Sequence, residues 1–594
     1  MNTPGGSRAA RRFKRLLTLW TALSLLVAAC AQGDVDRAGG PPRRGGTLRM
    51  IGAGDVDGMD TAVGYTAAAN TLFRAVTRQL VAYPAAADPK TRSRPVPDLA
   101  EAIPTPTDGG RTYEFRIRAG ARWDTSPPRQ ITAADVARGF KRLCNPTGRR
   151  FGALGYYVGV IAGMDEFCAK FAKVTPAVEE IREFVEGHEI PGVEVVDERT
   201  VRFHLTRRAG DFLNILALPA SSPVPVEALD HLPDSPEYRA HVISSGPYKI
   251  ARYEPKKLIH LVRNPAWDPA TDQVRKAWVD EIRIDQGYDE TPVLRKLESG
   301  EADMSWDTFV PPRDISRLQE KQDPKLSSED DGSLNPYLVI NLRSPTAGHA
   351  LGRLAVRQAL NFAVDKQAIM WVCGGPAQVQ PHSQILTPPL DGYQQYDLYP
   401  TPGNRGDPEQ ARDLLAQAGY PNGLTLTFLY RDSGKHPAVA RQLQADLARA
   451  GIRLRLKAVD PDDFYNRYLR DPESGKAGEW DLAAPSWAPD WPGNAARSFF
   501  VPLLDGRRYG PGSVNYGGYD SPEVNRLIDE ALQTSSPDQA ADIWARADRL
   551  VMQDAPWVPL LTGRIVNYRA ERVRNWVYLP LLKNGDPTNV WLAG

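Results

Sequence analysis

Leu424-Thr425-Leu426-Thr427-Phe428-Leu429 and Ile452-Arg453-Leu454-Arg455-Leu456 read as two strands, and the stretch 438–450 between them carries a helical pattern. Short links join the three elements. Such a unit predicts a parallel strand pair with a right-handed crossover. Upstream, Asp407-Pro408-Glu409-Gln410 opens a further helix: Asp407 can cap it, Pro408 suits the first turn, and Gln410 can close a capping box. Ala411, Leu414, Leu415 and Ala418 supply its buried face, and Gly419 ends it. Val356, Ala359, Leu360, Ala363, Val364 and Ile369 fall at helical spacing as one apolar stripe. This half therefore predicts an α/β arrangement, a mostly parallel sheet covered by helices.

The first half alternates differently. The fold begins near Gly45-Gly46-Thr47-Leu48-Arg49-Met50. Residues 113–118 and 200–205 alternate apolar and polar, as strands do. Thr132-Ala133-Ala134-Asp135 opens a helix carrying Val136, Phe140 and Leu143, while 144–190 reads as irregular.

The chain has 594 residues, 42% hydrophobic and 24% charged, with a formal net charge of +1. Such a balance carries no global field that would advertise nucleic acid or an acidic partner. There is no HExxH, GxxxxGK[ST], GxSxG or dinucleotide fingerprint, so no catalytic residue is assigned. The run Glu329-Asp330-Asp331-Gly332 lacks the spacing of a calcium loop and reads as a solvated turn. No metal or cofactor is expected.

The first residues set the compartment. Arg8, Arg11, Arg12, Lys14 and Arg15 precede an apolar run over 16–29, which ends Val27-Ala28-Ala29-Cys30. A basic start, a short apolar stretch and small residues before a cut site read as a secretory signal peptide over 1–29. The stretch falls short of the ~20 residues that a spanning helix needs. Val-Ala-Ala-Cys resembles a bacterial lipobox, which implies lipidation at Cys30. Residues 31–44 then read as a flexible tether. Disulfides are permitted outside the membrane. Of the remaining cysteines, Cys144 and Cys168 lie close in sequence and are the expected pair, leaving Cys373 as a buried thiol.

Several segments, taken in order, resemble a known family. They are Pro97-Asp98-Leu99-Ala100-Glu101, residues 112–123, Ile131-Thr132-Ala133-Ala134-Asp135-Val136, Ser245-Gly246-Pro247-Tyr248 and Asn264-Pro265-Ala266-Trp267. Leu297-Glu298-Ser299-Gly300-Glu301-Ala302-Asp303 and the stretch 356–366 continue the order. The chain from about Gly45 onward resembles the family 5 extracellular solute-binding proteins of ABC transporters, the oligopeptide and dipeptide binding group.

The resemblance implies a two-lobed, periplasmic-binding-protein-like fold with mixed sheets, a hinged cleft and an extra domain. Lobe 1 would hold 45–85, 236–330 and 561–594, the extra domain 86–235, and lobe 2 331–560. It implies a monomeric receptor on the extracellular face of the cell membrane, held by its lipid, with a peptide ligand and an ABC permease as partners.

The segment Ser486-Trp487-Ala488-Pro489-Asp490-Trp491 resembles the family's Trp-x-x-Asp motif, in which the aspartate of peptide binders pairs with the ligand's free α-amino group. A carboxylate in a closed cleft suits an ammonium through a charge-assisted hydrogen bond. Trp487, Tyr65, Trp306 and Tyr337 are the candidate aromatic walls. Arg357 and Asp365, in the most family-like segment, read as structural. No arginine for the ligand's carboxylate can be placed from motifs. Within the family, oligosaccharides or nickel complexes are alternative ligands; outside it, an extracellular hydrolase or a peptide sensor.

Overall fold

The computed structural model describes residues 41–148, 152, 154–534 and 536–594. Cys30, the leader and residues 31–40 of the tether lie outside the described residues. Among the described residues no helix is long and apolar enough to cross a membrane.

Two five-stranded mixed sheets form the hearts of two lobes. The first runs in the order Met304–Ser305, Thr47–Ile51, Glu281–Asp285, Leu258–Arg263, Tyr248–Glu254. Thr47–Ile51 is parallel to both of its neighbours, and the other pairs are antiparallel. The second runs Ile452–Val459, Leu424–Arg431, Leu482–Ala483, Tyr337–Ile340, Trp557–Pro559. Leu424–Arg431 is parallel to both of its neighbours, and its pairing with Ile452–Val459 runs in register from Leu424 opposite Ile452 to Arg431 opposite Val459. The crossover is the helix His436–Arg449, whose Val439, Ala440, Leu443 and Leu447 are buried on the sheet.

Between the first and second strands of the first sheet's chain order, a separate unit is inserted. Its antiparallel sheet is Thr112–Arg116, Thr200–His204, Val193–Val195. The helix Ala133–Arg142 covers it, with Thr132 and Asp135 completing a capping box. Phe140 and Phe203 meet edge-on at 5.1 Å, and Phe203 and Phe212 at 5.4 Å. Such pairs add about 1 kcal/mol each beyond the area they bury. Asp98 ties this unit to the first lobe, accepting from Arg78 Nε and Arg275 Nη1, both at 2.8 Å and all buried. Gly246 is required nearby, because a Cβ there would lie 2.4 Å from the Ala75 carbonyl.

The chain crosses between the lobes along two strands that lie side by side, Leu326–Leu334 going out and Leu561–Tyr568 coming back. Val379–Pro381 adds a third strand to this connecting sheet.

Three readings change. The stretch 144–190 holds the helices Gly155–Val158, Met164–Phe171 and Val178–Gly187. Each is short, so its few apolar positions, such as Ile181, Phe184 and Val185, gave only a weak period. The single stripe over 356–369 is two helices, Leu354–Ala363 and Lys366–Val372. Val364 is extended (ψ 130°) and Asp365 caps the second helix by accepting from Ala368 N at 2.8 Å. Both helices face one core, so the apolar spacing runs on through the break. Glu329-Asp330-Asp331 lies in the crossing strand, because the returning strand supplies backbone partners and Arg92 and Arg564 supply cations to Glu329 and Asp330.

Cys144 and Cys168 place their Cα atoms 5.0 Å apart with the sulfurs in contact, within the span of a disulfide. Cys373 is a buried free thiol, and burial pushes its pKa up.

Candidate functional site

The loop 486–493 joins the strand Leu482–Ala483 to the helix Arg497–Leu504 and forms one wall of a cleft of about 750 Å³. Two local features fix it. Trp487 and Leu334 exchange both backbone hydrogen bonds at 2.9 Å, and the Trp487 indole donates to Ser498 O at 2.8 Å. Trp491 is buried and donates to Asn494 O at 2.7 Å. Between the two tryptophans Asp490 is presented to the cleft.

Asp490 is met from the other side by two phenols. Tyr65 donates to its Oδ1, and Tyr156 to its Oδ2 at 2.5 Å. Tyr65 immediately precedes the cap Thr66 of the helix Ala67–Val76 in the first lobe, and its ring lies on Gly152, where a Cβ would come within 2.9 Å. Tyr156 belongs to the inserted unit. One carboxylate thus gathers all three parts of the molecule. No Lys, Arg or His among the described residues pairs with it. Burial therefore pushes the Asp490 pKa up, with the two phenols only partly offsetting it. Burial and the nearby carboxylate push both phenols above their usual range. A half-buried carboxylate met, among the described residues, by neutral donors alone suits a cation with N–H donors.

The other expected walls divide. Trp487, Tyr65 and Trp306 line the cleft. Trp306 offers little surface, at 2% exposure, and its indole is tied to Gly54 O at 3.2 Å. Tyr337 does not reach the cleft: it is fully buried in the second sheet, its ring 4.2 Å from that of Trp557. Every position of its strand is buried, so Tyr337 is core. Arg357 and Asp365 hold structure: Arg357 donates to Asp554 O at 2.8 Å and Leu351 O at 3.0 Å.

Sequence reasoning missed two groups. Asp330 and Asp331 line the cleft, hidden by the reading of their run as a turn. The second group is cationic and follows the carboxyl end of Leu424–Arg431. Arg431 lies over the rings of Phe464 and Tyr465 at 5.1 and 5.4 Å and reaches Ala484 O at 3.5 Å. Lys435 donates to Asn335 Oδ1 at 2.8 Å, and Ser486 of the anchor loop donates to the same oxygen at 2.9 Å. His436 lies 3.5 Å from Arg431, and burial together with the two cations lowers its pKa to about 4. Burial also lowers the Arg431 and Lys435 pKa values. Among the described residues neither Arg431 nor Lys435 has a carboxylate partner. The signal was there: basic residues beyond the carboxyl end of a parallel strand sit where α/β sheets bind ligands.

Known proteins bear on this geometry. Residues 94–509 match the family described as bacterial extracellular solute-binding proteins, family 5. The chain is 29% identical over 506 residues to di/tripeptide-binding protein 4 of Pseudomonas aeruginosa, covering 83% of this chain and 86% of that one. It is 26% identical over 505 residues to heme-binding protein A of Haemophilus influenzae, covering 82% of each. A solved structure, clavulanic acid biosynthesis oligopeptide binding protein 2, superposes with a TM-score of 0.83 at 31% identity, covering 94% of this chain and 97% of that one. With the match spanning both the inserted unit and the anchor loop, the chain belongs to the bacterial extracellular solute-binding proteins of family 5.

Proposed function

We propose that this chain is a receptor that captures short peptides between its lobes and delivers them to an ABC importer, tethered outside the membrane through Cys30. The observation that carries the reading is Asp490, a half-buried carboxylate held by two phenols and, among the described residues, by no cation. A peptide's α-ammonium supplies what is missing: a positive charge and three donors. The cations Arg431 and Lys435, the latter linked through Asn335 to Ser486 of the same loop, would suit the opposite end, a free carboxylate. A carboxylate in the cleft and a cation joined to its loop through Asn335 would fit a zwitterion.

The relatives named for di/tripeptides and oligopeptides support this reading, and the cleft volume of about 750 Å³ suits a ligand of that size. The two crossing strands would serve as the hinge between lobe 1 (45–85, 236–330, 561–594) with its extra domain (86–235) and lobe 2 (331–560). Ligand and permease would both favour the closed arrangement.

Native mass spectrometry of the purified protein, followed by titration with free tripeptides, N-acetylated tripeptides and hemin, tests the reading. Free peptides should bind and raise the melting temperature without being consumed, and the acetylated ones should bind far less. Equal binding of free and acetylated peptides would remove the amine anchor. Binding of hemin alone would replace the ligand class.

A further inference from the structure

We propose that Asp211 and Arg497 are positioning residues for the amine anchor, so that the inserted unit takes part in ligand capture. This rests on the amine-anchor reading. Arg497 begins the helix Arg497–Leu504, behind the loop that carries Asp490. Asp211 lies across the interface, in the inserted unit, just before the helix Phe212–Leu216. Arg497 Nη1 donates to Oδ2 and Oδ1 of Asp211 at 3.1 and 3.3 Å. Their side chains are 7% and 6% exposed. Parting a pair this dry would strand a charge away from water, which holds the two sides in one geometry.

The same guanidinium covers the ring of Tyr156, with its carbon 5.2 Å from the ring centre. Trp491 meets that ring edge-on at 4.8 Å and 79°. A phenol ring bounded by a cation and an indole has little freedom to swing. Its hydroxyl then falls on Asp490 Oδ2 at 2.5 Å. Asp211, Arg497, Tyr156 and Asp490 thus form a relay that alternates between the inserted unit and the second lobe. Among the described residues Arg497 Nε has no hydrogen-bond partner, which leaves the orientation of the guanidinium to Asp211 and the Tyr156 ring. The surrounding interface is close: Asn494 donates to Gly210 O at 3.2 Å, and a Cβ at Gly210 would lie 2.6 Å from Thr534 O.

A double-mutant cycle on the full chain tests this, with a random tripeptide library as the probe and uptake read by native mass spectrometry and melting shift. Asp211→Asn and Tyr156→Phe should each cut uptake about tenfold, and together should cut it no further than either alone. Additive losses would overturn the proposal, since a pair serving only stability would act independently of Tyr156. Removing both charges, Asp211→Asn with Arg497→Gln, avoids a stranded arginine. It should melt near the parent and still lose uptake, and parental uptake in that variant would overturn the proposal. A parent that takes up no peptide sinks the amine-anchor reading itself, an outcome separable from additivity in a parent that binds.

Discussion

The Tyr156 phenol and the Asp490 carboxylate meet at 2.5 Å although 334 residues separate them in the chain. With Tyr65 on the other oxygen, the carboxylate is hydrogen-bonded by both phenols and, among the described residues, paired with no cation. Replacing Asp490 by Ala should weaken binding of free-amine peptides by more than about tenfold, because a charge-assisted contact is lost. The fold should persist, as judged by unchanged circular dichroism. Unaltered affinity by calorimetry would dismiss the anchor.

Burial raises the pKa of Asp490 above the ordinary carboxylate value of 3.8. A peptide ammonium favours the ionised form, so ligand binding should release protons in mildly acidic buffer. Affinity should therefore fall as pH drops, beginning at a higher pH than an unperturbed carboxylate would allow. Tyr65→Phe removes a donor to the charged form and should move that fall to still higher pH. A titration of affinity against pH reads both effects, and a fall placed at or below 3.8 would contradict them.

The cationic pole makes a separate claim. Arg431→Met or Lys435→Met should weaken free-acid peptides by about tenfold and leave C-terminal amides nearly untouched. Equal losses on acid and amide would show that these side chains act on the fold instead.

Replacing Cys144 and Cys168 together by Ala should lower stability by about 3 kcal/mol, the chain-entropy value for a loop of this length. The two positions are 24 residues apart. Urea unfolding of the parent and the double variant measures the difference, and coincident curves would show that no bond forms.

Cys30→Ser should release the protein from the membrane fraction into the medium. Retention of the serine variant by washed membranes would count against lipidation.

The parallel unit around Leu424 and Ile452 was legible because apolar alternation, a capped crossover helix and short links all agree there. The helix opened by Thr132 was legible for the same reason, its capping box being a local signal. Asp490 and Trp487 were singled out through a motif, and both line the cleft. Tyr156 was not, since only tertiary packing brings a short helix of the inserted unit onto the anchor loop. Tyr337 misled because a strand pattern does not say which face is the core when both faces are covered. Asp330 and Asp331 were hidden because acidic residues are poor strand formers. Asp330 pairs only because the returning strand 561–568 lies beside it, and Asp331 follows in the register break.

The crossing ribbon is regular from Leu326 opposite Tyr568 to Asp330 opposite Arg564, and its register breaks between Asp330 and Leu334. Gly332, at φ 75°, sits in that break, where a Cβ would come within 2.9 Å of Pro489. The fulcrum and the jaw are therefore adjacent. A rotation beginning at Gly332 would bear on Pro489, the neighbour of Asp490. On the proposed reading, leverage would be short at the anchor and long at the rim, so a small ligand held at Asp490 would turn a slight local shift into a large excursion of the outer lobe.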